Sequence, residues 1–282
     1  MKIVHQLVSV IIPTKNSDGT LEACLKSIKE QSYPLCEIII VDNFSNDTTF
    51  SIAQKYTDKV FRQGPERSAQ RNFAVSNCSG QYILFIDSDM VLSKQVIEEC
   101  VNEVNKNVDI KGVIIPEKSF GKWFRAQCKK LERSFYEGVD WMEAARFFDR
   151  DVFDEVGGYD VNLVSGEDRD FSQKVEFKYT IGRVKSFIMH DEWTLSLRKS
   201  VKKKYYYAGK FAKYMTKKEW IHVIKQSKQT WIISRYSLFF SQPSKLFKNP
   251  LVGLWMLFLK TLEFMFGWVG YMVGKINSKF GF

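Results

Sequence analysis

Tyr82-Ile-Leu-Phe-Ile-Asp87-Ser-Asp89-Met90 is the stretch of sequence from which the rest of the chain can be ordered. Residues 82–86 are a short, continuous apolar run rich in β-forming residues, which predicts a strand buried on both faces. Carboxylates are rarely buried without a partner, so we expect Asp87 and Asp89 where the strand emerges, at its carboxyl end. Open α/β sheets bind ligands at that end, and two carboxylates there suit a hard divalent cation that also contacts a diphosphate. An ordinary polar turn after the strand is the alternative interpretation.

Strands and helices alternate on both sides of this stretch. The predicted strands are 7–12, 37–41, 59–61, 82–86, 112–115 and 144–148. The helical patterns between them include 68–77, 94–105 and 120–136. This alternation predicts βαβ units and a mostly parallel sheet with helices on its faces.

Four segments, the last of them inside the central stretch, appear in a characteristic order. They are Val8-Ser-Val-Ile-Ile-Pro-Thr-Lys-Asn16, Glu37-Ile-Ile-Ile-Val-Asp-Asn-Phe-Ser-Asn-Asp47, Arg71-Asn72 and Asp87-Ser-Asp89. In this order they resemble the family 2 glycosyltransferases of the GT-A fold, over about 8–195, or two thirds of the chain. Asn43 departs from the pattern, because many members have a second Asp there. The resemblance implies an α/β GT-A catalytic domain over 1–197, with a Rossmann-like, mostly parallel sheet flanked by helices.

The resemblance also implies a nucleotide-sugar site at the ends of the strands. The expected donor-binding residues are Pro13, Thr14, Asn16, Asp42, Arg71, Asp87, Ser88 and Lys202. Asp42 could accept a hydrogen bond from a base N–H or a ribose hydroxyl, and the alternative is a turn in which it caps Ser45. Arg71 suits a phosphate or base contact, and the alternative is a structural arginine.

Ser165-Gly-Glu167-Asp168-Arg169-Asp170 matches the Glu-Asp motif of the family in the expected place. An inverting transfer needs a general base that takes the proton of the acceptor hydroxyl, and Asp168 is our choice for it. Glu167 is the second candidate, or a contact to the acceptor or to Asp168. The alternative is that these acids only favour the start of a helix through its dipole.

A metal site follows from the same resemblance. We expect Mg²⁺ or Mn²⁺ to be held by Asp89, Asp87 and His190, since an imidazole can complete a carboxylate site. Asp89 is the expected direct ligand, whereas Asp87 would lie nearer the ribose or a metal-bound water. A capping or structural role is the alternative for His190.

The charge of the chain is uneven. The formal net charge is +10, but residues 198–248 alone carry +13, and residues 1–197 carry −5. Such asymmetry indicates a polyanionic partner. The five cysteines are widely spaced without a C-x-x-C pair, which is typical of a reducing compartment rather than of a disulfide or zinc framework.

A basic and apolar helical tail is predicted over 198–282. Residues 251–274 contain only two charged residues, Lys260 and Glu263, and are long enough to span a bilayer. Charges in mid-segment are costly there, although these two could pair at i,i+3. We favour helices that lie in the membrane interface or re-enter it over a true span. A soluble oligomerisation domain is the remaining alternative.

The sequence therefore predicts a metal-dependent, inverting glycosyltransferase at the cytoplasmic face of the cell membrane. Its expected partners are a nucleotide-sugar donor, a glycan or lipid-linked acceptor and an anionic membrane surface. A nucleotidyltransferase is an alternative, but Pro13-Thr-Lys-Asn16 replaces the glycine-rich loop that would hold a triphosphate. A non-enzymatic polyanion-binding protein is another, but nucleic acid gives no reason for the apolar run, and we expect no nucleic-acid partner. The sequence favours no oligomeric state.

Overall fold

The computed structural model describes residues 6–192, 196–215 and 232–280. The basic stretch 198–248 lies partly outside these ranges. In chain order the elements are β1 Val8–Thr14, α1 Asp18–Lys29, β2 Cys36–Asp42, α2 Thr49–Ala53, β3 Val60–Arg62, α3 Arg67–Ser76, β4 Tyr82–Phe85, β5 Met90–Leu92, α4 Val96–Lys106, β6 Ile110–Ile114, β7 Glu117–Phe120, α5 Phe124–Ser134, β8 Ala145–Asp149, α6 Arg150–Glu155, α7 Glu167–Glu176, β9 Thr180–Arg183, β10 Ile188–Asp191, α8 Leu197–Met215, α9 Ile232–Phe240, α10 Pro243–Leu246 and α11 Pro250–Phe280.

The chain divides into two compact units. The first contains residues 1–117, 144–161 and 166–191, and the second contains 118–143, 162–165 and 192–282. These units group residues 118–143 with the C-terminal helices. The division into a catalytic domain at 1–197 and a tail at 198–282 stays a prediction.

A seven-stranded sheet forms the centre of the first unit, in the order β3-β2-β1-β4-β8-β6-β9. Neighbouring strands from β3 to β4 are parallel, as are β6 and β9, whereas β8 runs antiparallel to both of its neighbours. Every residue of β1 and β4 is buried, because helices cover both faces of the sheet. The predicted α/β fold with a mostly parallel sheet is confirmed.

Two apolar cores lie on the opposite faces of this sheet. Val10 and Leu84 face a core that includes Leu25 of α1, together with residues of α4. Ile11 and Phe85 face the other core, which contains residues of α3 and α7. Successive side chains of a strand point to opposite faces, so one short apolar run supplies both cores.

The carboxyl ends of β1, β2 and β4 meet at one edge of the sheet. Thr14 lies opposite Asp42 in the register, and Asp87 follows β4 by two residues. Beside this edge β5 pairs antiparallel with β10, so that His190 lies opposite Met90. The topology therefore gathers the polar ends of three strands and the β10 strand in one region.

The second unit is helical. Its apolar core includes Cys128 and Phe135 with Phe239, Leu246 and Met256. A glycine seam of Gly209, Gly270 and Gly274 brings the backbones of α8 and α11 together. A Cβ atom would meet the Tyr205 carbonyl at 2.2 Å if added to Gly270, and the Gly209 carbonyl at 2.3 Å if added to Gly274. Only glycine at these two positions permits such an approach.

One helix prediction was wrong in its extent. The pattern at 120–136 predicted continuous helix, but the structure has the end of β7 there and starts α5 at Phe124. Gly121 has φ +143, a conformation open to glycine, and a Cβ there would lie 2.6 Å from the Cβ of Ala126. The chain turns at this glycine before the helix can begin.

Candidate active site

Asp42, at the end of β2, is fully buried and hydrogen-bonded within its own turn. Its Oδ1 accepts from Thr14 Oγ1 at 2.9 Å and from Ser45 Oγ at 2.5 Å, and its Oδ2 accepts from Ser45 N at 2.8 Å. This is the capping arrangement that the sequence offered as the alternative. A direct contact of Asp42 with a base or ribose stays a prediction.

The other predicted donor-binding residues of the strand ends lie beside it. Asn16, with φ +49, donates from its N–H to Ser45 Oγ at 2.7 Å, and its Oδ1 accepts from Asn46 N at 3.0 Å. Ser88 Oγ donates to Ser17 Oγ at 2.8 Å. Pro13 is buried within β1. Hydrogen bonds thus tie the loops after β1, β2 and β4 into one edge.

Lys202 belongs to α8 of the second unit, and its side chain is exposed. Its predicted role at the donor stays a prediction.

Arg71 of α3 is buried completely and forms ion pairs with three carboxylates. Its Nη1 lies 2.5 Å from Asp168 Oδ1 and 3.4 Å from Glu167 Oε1, and its Nη2 lies 2.8 Å from Asp87 Oδ1. The guanidinium also lies 5.1 Å from the ring centre of Tyr159. Burial alone would lower the pKa of Arg71, but the carboxylates outweigh it and raise that pKa, which keeps the side chain charged.

Two further arginines join Arg71. Arg67 Nη2 lies 2.9 Å from Glu167 Oε1, and Arg146 Nη2 lies 3.8 Å from Asp87 Oδ2 and 4.0 Å from Asp168 Oδ2. These six residues form what we call the arginine–carboxylate cluster, which consists of Arg67, Arg71, Arg146, Asp87, Glu167 and Asp168.

The cluster shifts the pKa values of two of its acids in opposite directions. Burial would raise the pKa of Asp87, but Arg71, Arg146 and Arg67 outweigh it and hold that pKa well below its ordinary value. At Glu167, burial and the neighbouring Asp168 prevail over the arginines, so its pKa is raised. Two carboxyl groups of one site therefore differ in how readily they take up a proton.

Glu167 and Asp168, the first two residues of α7, differ in exposure to solvent. Gly166 precedes the helix with φ +80, and the Glu167 side chain then points into the protein, with 2% of its surface exposed. The Asp168 side chain keeps 23% exposed. Of the two acids, Asp168 is the one that a molecule from solution can reach.

The predicted metal ligands divide between two places. The Asp89 side chain is half exposed, and its Oδ1 lies 3.9 Å from His190 Nδ1, whereas Asp87 is directed toward the arginines. Within residues 6–192, 196–215 and 232–280, no three His, Cys, Asp or Glu side chains converge as a metal-binding group. One ion that bonds two ligand atoms at about 2.1 Å keeps them within about 4.2 Å of each other. The pair Asp89–His190 meets that limit, so these two residues fit a shared ion.

Sequence reasoning missed three residues of this region. Arg67 lies one helical turn before Arg71, a spacing that places both on one face of α3. Arg146 is the one charge in the otherwise apolar stretch 144–148, which is itself a signal of a buried ionic partner. Glu117, at the start of β7, accepts from Arg146 Nε at 2.6 Å and lies 2.9 Å from His190 Nε2. Its position after Pro116 gave no comparable signal.

Comparison with known proteins identifies the family. The family model described as Glycosyl transferase family 2 matches residues 9–163. Poly(ribitol-phosphate) beta-N-acetylglucosaminyltransferase TarS of Staphylococcus aureus (strain Mu50 / ATCC 700699) is 30% identical over 110 residues, which cover 35% of this chain and 19% of TarS. The match thus spans about a fifth of that relative.

Two solved structures show the same fold over nearly the whole chain. The structure of S. aureus TarS 1-349 in complex with UDP-GlcNAc has a TM-score of 0.53 and 17% identity, over 98% of this chain and 92% of that one. The mannosyltransferase PcManGT from Pyrobaculum calidifontis, in complex with GDP-Man and Mn²⁺, has a TM-score of 0.59 and 15% identity, over 97% and 88%. Since the family model covers more than half of its residues, this chain belongs to glycosyl transferase family 2 and has the GT-A fold.

Proposed function

We propose that the protein transfers a sugar, with inversion, from a nucleotide-diphosphate sugar to a hydroxyl of a lipid-linked or cell-surface glycan. One observation carries the proposal: Arg71 joins Asp87, from the motif after β4, to Asp168, from the motif at the start of α7. The groups expected to face the donor and the group expected to activate the acceptor thus belong to one ionic cluster.

Asp168 is the general base of the proposed reaction. One of its oxygens is held by Arg71, and the partly exposed carboxylate can accept the proton of the acceptor hydroxyl. The acceptor oxygen then forms a bond with the anomeric carbon while the bond from that carbon to the diphosphate oxygen breaks. The diphosphate leaves with the electron pair, and the proton stays on Asp168. Glu167, buried beside it, orients the cluster through Arg67 and Arg71.

The donor is proposed to bind at the edge formed by Pro13, Thr14, Asn16, Asp42 and Ser88, with Asp87 and Arg71 beneath it. The neighbours in complex with UDP-GlcNAc and GDP-Man support this class of donor. Arg146 Nη1 is buried and has no hydrogen-bond partner among the described residues. A buried donor without a partner is costly, so an oxygen of the transferred sugar is a suitable acceptor for it.

Asp89 and His190 would hold Mg²⁺ or Mn²⁺ against the donor diphosphate. Such an ion offsets the negative charge that develops on the leaving nucleoside diphosphate. The Mn²⁺ in the PcManGT structure supports the choice of metal. Asp87 would then pair with the arginines of the cluster and contact the ribose of the donor.

The tail, residues 198–282, is proposed to attach the catalytic domain to the cytoplasmic face of the membrane. Among the described residues one helix, Pro250–Ser278, is long and apolar enough to cross a bilayer. Its two mid-segment charges are engaged within the second unit, because Lys260 Nζ lies 2.6 Å from Glu132 and 3.0 Å from Glu263. Large apolar side chains are exposed elsewhere on the same helix, among them Leu251, Leu254, Trp255, Phe258, Met265 and Trp268. Contacts on one side and exposed apolar groups on the other favour a helix that lies in the interface.

The proposed function is tested by thermal unfolding of the full chain with UDP, GDP, CDP and dTDP, each with and without Mn²⁺. A nucleotide present at 100 times its Kd adds about 2.7 kcal/mol of stability. We expect one nucleotide to raise the Tm clearly more than the others, and Mn²⁺ to increase that shift.

The Asp89→Asn variant is the matched control, because it should keep the fold and lose the effect of Mn²⁺. If none of the four nucleotides raises the Tm at millimolar concentration, the proposed donor class is wrong. If the shift is the same in EDTA, the proposed metal is wrong.

A further inference from the structure

His190 makes two side-chain contacts that differ in kind. Its Nε2 lies 2.9 Å from Glu117 Oε2, within hydrogen-bond distance, whereas its Nδ1 lies 3.9 Å from Asp89 Oδ1, beyond that distance. A carboxylate can only accept a hydrogen bond, so the short contact requires that Nε2 carries the proton. In the neutral ring Nδ1 then has a lone pair, and that lone pair faces Asp89.

Glu117 is itself held in place. Arg146 Nε donates to Glu117 Oε1 at 2.6 Å, which leaves Oε2 for the imidazole. Arg146 is the second residue of β8 and is buried, and its Nη2 lies near Asp87 and Asp168. Both oxygens of Glu117 are therefore used, and the carboxylate has one favoured orientation.

The backbone does not orient the imidazole by itself. The pairing of β10 with β5 places His190 opposite Met90 and so fixes its Cα, but a half-turn of the ring about its last bond exchanges Nδ1 with Cδ2 and Nε2 with Cε1. Since Nε2 faces Glu117 and Nδ1 faces Asp89, the bond to Glu117 holds the ring orientation that presents Nδ1, and not Cδ2, to Asp89.

We infer that Glu117 is a positioning residue, which keeps the proton of His190 on Nε2 and thereby presents the Nδ1 lone pair as a metal ligand beside Asp89. Histidine ligands of metals ordinarily donate their other ring N–H to a carboxylate or carbonyl, which fixes the tautomer and the ring orientation. The inference rests on the proposed function for its metal, but the tautomer can be measured without one. It also gives Arg146 a second task, since Arg146 orients Glu117.

The tautomer is measured by nitrogen-15 NMR on histidine-labelled full chain at pH 8, without metal. The chain has only three histidines, and the spectrum of His190→Ala identifies the signals of His190. We expect a single Nε2–H tautomer in the wild type. Glu117→Ala should give a mixture of tautomers, and Glu117→Gln should retain the wild-type tautomer, because its amide oxygen can still accept from Nε2.

Mn²⁺ affinity is measured on the same proteins by electron paramagnetic resonance titration in the presence of UDP and, separately, of GDP. Loss of such an orienting partner typically weakens metal binding by about 10–100-fold, and we expect this for Glu117→Ala. Glu155→Ala is the matched control, because Glu155 is an exposed carboxylate whose side-chain partners among the described residues are Lys178 and Tyr179. Its Mn²⁺ affinity and its His190 tautomer should equal those of the wild type.

The outcomes separate the inference from the proposed function. An unchanged tautomer in Glu117→Ala overturns the inference, whatever Mn²⁺ does. If His190→Ala weakens Mn²⁺ binding and Glu117→Ala does not, the metal site stands and the inference is wrong. If the tautomer changes in Glu117→Ala while His190→Ala leaves Mn²⁺ affinity unchanged, Glu117 orients the ring but His190 is not a ligand, and the proposed metal site fails. Should Glu117→Ala not fold, Glu117→Lys or Glu117→Met with the same two readouts replaces it.

Discussion

The Arg71 guanidinium shows why this position suits arginine rather than lysine. Its two terminal nitrogens diverge, so that one reaches Asp168 and Glu167 while the other reaches Asp87. A lysine carries one nitrogen and cannot reach both sides of the cluster from the same backbone position. Because Arg71 and Glu167 are both buried, the Glu167 carboxylate would have little water to replace this partner.

Arg71→Lys should therefore destabilise the protein, although the charge is kept. Removing one partner of a buried ion pair costs about 3–5 kcal/mol, and we expect a loss in that range from urea unfolding. Arg62→Lys is the matched control, since Arg62 is exposed at the end of β3 and its change should stay within about 0.5 kcal/mol. Equal stabilities of the two variants would show that the ion pairs of Arg71 are not structural.

Asp168→Asn tests the proposed base. The amide keeps the shape and cannot take a proton from the acceptor, so kcat should fall by about 10²–10⁴-fold. The Kd of the donor nucleotide should change little, because Asp168 faces the acceptor in the proposed reaction. Glu167→Gln is the companion variant. If it is inactive and Asp168→Asn is active, the two acids have exchanged roles.

At the scale of elements, α5 and α11 are joined by charges rather than by apolar contacts alone. Lys260 Nζ lies 2.6 Å from Glu132, and Lys129 Nζ lies 2.8 Å from Glu132 and 3.7 Å from Glu263. Two lysines and two glutamates thus form a balanced, largely buried set, the charge quartet. Burial would raise the pKa of Glu132, but Lys129 and Lys260 outweigh it and hold that pKa well below its usual value.

Lys260→Met should lower the free energy of unfolding by about 3 kcal/mol at pH 7, because Glu132 stays buried with Lys129 as its remaining cation. A depressed pKa in the folded state means that the stability from Glu132 is present at neutral pH. It is lost as the pH falls below the ordinary glutamate value of about 4.3. The difference in free energy of unfolding between wild type and variant, measured in urea, should therefore become smaller below about pH 4.3.

A double variant provides the control for the quartet. Glu132→Gln with Lys260→Met removes one charge of each sign and leaves Lys129 with Glu263. Replacing both members of a buried pair is often nearly neutral, so most of the lost stability should return. A double variant as unstable as Lys260→Met would mean that packing, and not charge, causes the loss.

The elements also show how far sequence reasoning reaches. The strands and their ends were predictable, because apolar runs and polar breaks are local signals, and so was the pairing of Lys260 with Glu263 one turn away. The partners of Arg71 and Lys260 were not. Glu167, Asp168 and Glu132 approach them only through the fold, and no local pattern records contacts between distant segments. The sequence therefore predicted that polar residues gather at the strand ends, but neither their full set nor which of them pair.

At the scale of the whole molecule, the surface combines cations with exposed apolar groups in the C-terminal helices. Lys202, Lys203 and Lys210 are exposed on α8, and Leu254 and Trp268 are 59% and 64% exposed on α11. Basic residues near an anionic bilayer contribute about 1 kcal/mol each, and salt screens this attraction. Apolar burial is not screened by salt.

The full chain should sediment with vesicles that contain phosphatidylserine, and 1 M salt should weaken this binding without abolishing it. Leu254→Glu with Trp268→Glu should remove the part that resists salt, since burying a Leu side chain alone contributes about 1.5–3 kcal/mol. Lys202→Glu with Lys203→Glu, as the matched variant, should remove mainly the salt-sensitive part. If the wild type stays in the supernatant at low salt, the tail is not a membrane element, and an oligomerisation role becomes the better interpretation.

The glycine seam has a consequence for how variation in this protein should be read. Any side chain at Gly270 or Gly274 would collide with a backbone carbonyl of α8, so almost every substitution there should disturb the helix pair. A saturation screen for activity would then score both positions as intolerant, as it would score Asp168 and Asp89. Their intolerance would reflect the space available between two helices and not a part in the chemistry. Tolerance maps of the C-terminal helices should therefore be compared with backbone distances before any residue is assigned a catalytic role.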